Sequence, residues 1–173
     1  MRRGAFPQDE PLEARSIQLA ADLRARLPAR IDRALCGPSK RARATAGLLG
    51  LTADITEAAR DQDYGNWAGR TLADLETERP GSMQAWTSDP HFSPTGGESV
   101  RDLHNRAAAF LEHFAATPGT TIVVTHGSLV RAIVLLVLEA PTQSFWRIDM
   151  PPLSRIDLSF DGRRWALRMG LAS

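Results

Sequence analysis

The spacing of apolar positions changes several times along the chain, and each change marks an element. From Glu13 to Leu27 the apolar residues Ile17, Ala20, Leu23 and Leu27 recur at helical intervals until Pro28 stops them, which predicts an amphipathic helix. Ile31 to Cys36 then reads as a short strand. Gly37-Pro38-Ser39 turns the chain, and Ser39 caps a second helix through Thr45 to about Leu49. Residues 52–69 read mostly as loop, followed by short helices over Thr71 to Glu78 and Met83 to Thr87. Ser99-x-x-Asp102 is a capping-box pattern that opens a helix with the stripe Val100, Leu103, Ala107, Phe110 and Phe114.

Thr121 to Thr125 is a β-branched run without polar alternation, as a parallel strand covered on both faces requires. The helix predicted from Ser128 to Glu139 is apolar almost all round and belongs against a sheet. Ser154 to Phe160 and Arg164 to Met169 alternate, and Asp161-Gly162 between them is a hairpin turn signal. This order predicts one domain over residues 1–173, a three-layer α/β/α fold with a mostly parallel central sheet and a C-terminal β-hairpin at its edge.

Composition changes this picture little. A chain of 173 residues, 43% apolar and 24% charged, is long enough for a core without staples. Net charge is +1 with acids and bases interleaved, which leaves no basic face for nucleic acid or an anionic membrane. Cys36, the only cysteine, excludes an internal disulfide and suits a reducing cytoplasm. No secretory signal follows Met1, and the apolar run from Ala132 to Leu138 is too short to span a bilayer.

Candidate chemistry sits at two strand ends. Ligands of open α/β sheets bind beyond the carboxyl ends of strands, where helix N-termini offer free N–H groups to anions. One predicted strand leads through Gly37 into a helix with Arg41 in its first turn, and another leads through His126-Gly127 into a helix. Adjacent strands would bring Arg41 and His126 to one anion site.

The wording around these residues resembles the histidine phosphatase superfamily. Gly37-Pro38-Ser39-Lys40-Arg41-Ala42-Arg43-Ala44-Thr45-Ala46 is similar to its second arginine motif, and Asp61 to Gly69 resembles its acid motif. Gly96-Gly97-Glu98-Ser99 and Val124-Thr125-His126-Gly127 follow in the family's order. The resemblance implies hydrolysis of a small phosphorylated metabolite through a phosphohistidine, without a metal or organic cofactor, and mutase chemistry less readily because the loops are brief. It implies that Arg41 and Arg3 bind substrate, that Gly127 and Glu98 line the pocket, that His126 bonds the phosphoryl group and that Asp61 protonates the leaving oxygen.

Two departures stand out. Gly37 replaces a serine, which removes a hydroxyl. The family's opening Arg-His-Gly, which holds the nucleophile, has no counterpart before Arg3, and Arg2-Arg3-Gly4 is too close to Asp9 to be it. The strand before that motif is expected between the two strands that lead to Arg41 and His126. Either the true start lies upstream of Met1, or something else fills the gap. The alternative function is a non-catalytic phospho-ligand binder or scaffold, and an exposed strand edge favours a homodimer.

Other chemistries fit less well. Only four residues separate Cys36 from Arg41, one too few for a cysteine-phosphatase loop. His91, His104, His113 and His126 are too scattered for a metal site. Trp86 and Phe92 are the best candidates for substrate contacts, although tryptophans more often pack.

Overall fold

The computed structural model describes residues 4–12 and 15–169. Strands β1 (Arg33–Cys36), β2 (Asp54–Ile55) and β3 (Thr121–Val124) form one parallel sheet with β1 at its centre, in the order β2-β1-β3. The register of β1 on β3 runs from Arg33 opposite Thr121 to Cys36 opposite Val124, so both strands end level.

Helices cover both faces. On one side α1 (Arg15–Arg24) packs on α2 (Lys40–Leu48), where Ala20, Ala42, Ala46 and Leu49 join Cys36 and Val124 in a buried cluster. On the other, α5 (Val100–Ala115) packs on α6 (Gly127–Val137), with Val123 against a second buried cluster that includes Leu103, Leu129 and Phe145. Successive residues Val123 and Val124 thus enter opposite layers, which is why this strand carries no polar alternation. Burial of Leu103 and Leu129 is complete, and truncating either to alanine would cost roughly 2–5 kcal/mol. Ser99 and Asp102 close the capping box of α5, as their spacing predicts.

Further along, α3 (Leu72–Glu78) and α4 (Ser82–Ser88) contribute Leu75 and Trp86 to a cluster with Phe6 and Trp67. The hairpin strands β4 (Asp157–Phe160) and β5 (Trp165–Arg168) pair antiparallel and form a separate two-stranded sheet. Gly162 turns at φ +94°, a left-handed conformation that glycine adopts freely.

Two expectations are corrected. The strand β2 lies inside the segment expected to be loop; its two residues are exposed, so no apolar pattern announces it. More consequentially, no place for another strand exists between β1 and β3, because they pair directly over four residues. On its far side β3 pairs with no further strand among the described residues. A groove of about 1670 Å³ runs from the strand ends along that side, with β4 across it, α5 and α6 on one wall and α1 and α2 on the other. Ile122, Phe114, Leu158, Phe160 and Trp165 are among its apolar lining residues.

Candidate functional site

Residues from three chain segments meet where β1 and β3 end. Ser39 is extended at φ −63°, ψ 149°, and its hydroxyl oxygen accepts the Ala42 N–H at 3.2 Å, which starts α2 with Arg41 in its first turn. His126 is the N-cap residue of α6 but makes no cap bond with its side chain, so the ring is free to face the neighbouring turn. The Gly37 N–H donates to the Val124 carbonyl at 2.9 Å and ties the two turns together.

Asp61 reaches this point after a short 3-10 turn, Glu57–Ala59. One carboxylate oxygen lies 3.0 Å from Arg41 Nη2 and 3.2 Å from His126 Nδ1. The other accepts the Gln62 N–H at 2.9 Å and the Ser128 hydroxyl. Ser39 Oγ lies 3.0 Å from His126 Nε2, so the imidazole is held at both nitrogens. Beside it, Asp9 accepts the first-turn Lys40 N–H of α2 at 2.6 Å and Glu10 lies 3.5 Å from Arg41. Carboxylates here satisfy the cationic groups and the helix amide, a pattern that a bound oxyanion would also satisfy.

Burial drives the His126 imidazole below its ordinary value; Asp61 and Asp9 oppose that shift, and Arg41 and Arg106 add to it. The ring is therefore neutral at pH 7. Its proton belongs on Nδ1, facing the Asp61 carboxylate, which leaves Nε2 to accept from the Ser39 hydroxyl. Burial also raises the Cys36 thiol, which keeps it protonated and unreactive. Among the described residues, no group of three or more His, Cys, Asp or Glu side chains is placed to hold a metal ion.

The structure brings together Arg41, Asp61 and His126, with Gly127 opening α6 beside them. Arg3 lies outside the described residues. Glu98 does not line the opening: its buried carboxylate turns inward to Arg106 at 2.8 Å and Arg60 at 3.4 Å. An acid in the turn before a helix can face the helix amides or the interior, and two arginines draw this one inward. Trp86 is not free for a ligand either, since Phe6, Trp67 and Trp146 surround it at 5.1, 5.8 and 4.3 Å between ring centroids. Phe92 packs on Trp67.

Sequence reasoning had no role beyond capping for Ser39, and none for Ser128, Gln62, Thr125 or Arg106. Arg106 had a signal: it borders the apolar stripe of α5 between Leu103 and Ala107, where an arginine needs a buried partner. Gly37 has a packing cause, because a Cβ there would lie 2.5 Å from the carbonyl oxygen of Ala59, which is distant in sequence.

Known proteins resemble this chain in sequence and in fold. An acid phosphatase of Mycobacterium tuberculosis is 32% identical over 125 residues, which cover 69% of this chain and 58% of that protein. The chain thus spans little more than half the length of that relative. The adenosylcobalamin/alpha-ribazole phosphatase of Salmonella typhimurium is 28% identical over 158 residues, 86% of this chain and 78% of that protein. A solved structure of mycobacterial glucosyl-3-phosphoglycerate phosphatase complexed with VO3 superposes at a TM-score of 0.81 and 26% identity, covering 98% of this chain and 92% of that one. The family model for the histidine phosphatase superfamily (branch 1) matches residues 2–170, the stretch that builds both strand ends, and the chain belongs to that superfamily.

Proposed function

We propose that this chain provides the phosphate-holding site of a phosphomonoester hydrolase acting on a small phosphorylated metabolite through a phosphohistidine. The observation that carries this reading is the meeting of Arg41, Asp61 and His126 beyond the level ends of two adjacent parallel strands. Arg41 offers a planar fork to two phosphoryl oxygens. An arriving phosphoryl group displaces the Asp61 carboxylate from that fork, and its negative charge draws one proton from solvent onto Asp61 and another onto His126, which then donates from Nε2.

The nucleophile comes from an added strand ending in Arg-His-Gly. The groove between β3 and β4 suits it, because the strand would pair with the outer edge of β3 between two apolar walls. Lying parallel to β3, it would release its last residues beside Arg41 and His126. In the first step the imidazole attacks phosphorus, the ester P–O bond breaks, and the leaving oxygen takes a proton from Asp61. In the second, water attacks the phosphohistidine and gives its proton back to Asp61, freeing phosphate and the imidazole.

Two of the relatives are named for what they dephosphorylate, glucosyl-3-phosphoglycerate and adenosylcobalamin/alpha-ribazole, and we assign the substrate to phosphomonoesters on a polar carbon skeleton. The near-neutral charge of the chain argues against nucleic acid and membrane partners, and its single buried thiol fits the cytoplasm. A homodimer joined at the β3 edge is the competing occupant of the groove.

The test is expression of this chain alone and with an N-terminal strand ending in Arg-His-Gly, assayed on an aryl phosphate without metal. Loss of a covalent nucleophile costs on the order of 10⁶ in rate, so only the extended form should turn over and form an acid-labile phosphoenzyme. Robust turnover by the unextended chain that vanishes in His126→Ala would overturn this mechanism.

A further inference from the structure

Asp61 sits on irregular chain with no strand or helix ladder of its own, yet its carboxylate meets three side chains, Arg41 on α2 and His126 and Ser128 at the start of α6. Something must fix the backbone beneath it. Arg106 on α5 lies directly behind that segment and is 16% exposed. All five of its N–H donors are engaged. Nε and Nη2 grip the Glu98 carboxylate at 2.9 and 2.8 Å, and Nη1 and Nη2 reach the carbonyls of Ala58, Arg60 and Asp61, each at 3.1 Å. The intervening Ala59 carbonyl accepts the Thr125 hydroxyl at 2.7 Å.

Four successive carbonyls are therefore held by two side chains. Arg106 stands on a helix whose apolar stripe is buried from Val100 to Leu111, which makes it a rigid post, and the Glu98 carboxylate fixes the plane of its fork. We propose that Arg106 is a positioning residue, which sets the backbone of residues 58–61 so that the Asp61 carboxylate reaches Arg41 and His126. The proposal rests on the reading of Asp61 as part of the phosphoryl site, but it is tested without turnover.

The informative variant is Arg106→Lys, which keeps the positive charge near His126 and removes the five-donor fork. The charged groups acting on His126 are Asp61, Arg41, Asp9 and Arg106, so a preserved charge at 106 isolates the displacement of Asp61. The readouts are the His126 imidazole titration followed by NMR and the affinity for inorganic phosphate. The His126 titration is expected to move to lower pH, because the carboxylate that supports its charge withdraws. Phosphate binding should weaken on the order of tenfold, as expected for a misplaced site group. In an Asp61→Asn background the same substitution should leave the His126 titration in place.

An Arg106→Lys protein that melts earlier but titrates and binds phosphate like the parent would show a purely structural role and overturn the proposal. If Arg106→Lys gives no cooperative melt, Thr125→Val releases the neighbouring carbonyl without changing charge; an unshifted His126 titration in that variant overturns it equally. Failure of the parent chain to bind phosphate would instead count against the functional reading and leave the His126 comparison to decide the role of Arg106.

Discussion

Ser39 Oγ and His126 Nε2 lie 3.0 Å apart across the ends of two neighbouring strands, and this contact joins helix capping to the orientation of the site imidazole. Removing the hydroxyl acts on both. Ser39→Ala should lose about 1 kcal/mol of stability through the cap, read by chemical denaturation. It should also broaden the His126 ring resonances, because one of the two contacts holding the ring is gone. A cap loss with an unchanged His126 environment would separate the two roles.

Arg41→Ala removes the only guanidinium within 3.0 Å of the Asp61 carboxylate among the described residues. A charge-assisted contact contributes about 1.5–3 kcal/mol, so vanadate or phosphate affinity should fall roughly 10- to 100-fold by calorimetry. Unaltered affinity would make Arg41 a surface charge satisfied by Glu10 and Asp61.

Asp61→Asn tests proton donation in the extended, active form. Esters with poor leaving groups need protonation and aryl phosphates do not, so the loss should be far larger for the alkyl ester. Equal losses on the two substrates would assign Asp61 to electrostatic support of Arg41 and His126 instead.

The lowered His126 value gives stability a defined pH dependence. Between its depressed folded value and the ordinary 6.5, the unfolded chain binds more protons, so stability rises with pH across that window. It is fully present above about pH 6.5 and declines as the pH falls through the window. The Asp102 carboxyl, held down by the Ser99 hydroxyl and backbone N–H, acts in a separate range, with stability lost only as the pH falls below 3.8. Denaturation midpoints at pH 7.5 and 5.5 should therefore differ, and His126→Gln should flatten the difference. An equally steep dependence in that variant would move its origin elsewhere.

Much of the architecture was legible because the deciding physics is local. The capping box at Ser99, the turn at Gly162 and the two-faced apolar run of β3 each depend on a few neighbouring residues. Arg41 and His126 were legible for the same reason, as side chains just beyond strand ends. Lateral order was not. Alternation along a strand reports which faces are covered and says nothing of which strand lies beside it, so the direct pairing of β1 and β3 had no signature.

Side-chain direction in loops was equally hidden. Glu98 and Trp86 are expected at the site from sequence but are drawn into the interior by Arg106 and by an aromatic cluster assembled from distant segments. Gly37 shows the converse case: its small size answers to a carbonyl that arrives from residue 59, a constraint no local reading contains.

The open side of β3 also governs how this chain behaves in bulk solution. Four β-branched residues whose outer side meets no strand among the described residues form a template for further β-pairing, and no proline or lysine within the strand blunts it. Concentrated samples therefore carry a built-in route to edge-to-edge assembly, and colloidal stability will depend on whatever fills the groove more than on net charge.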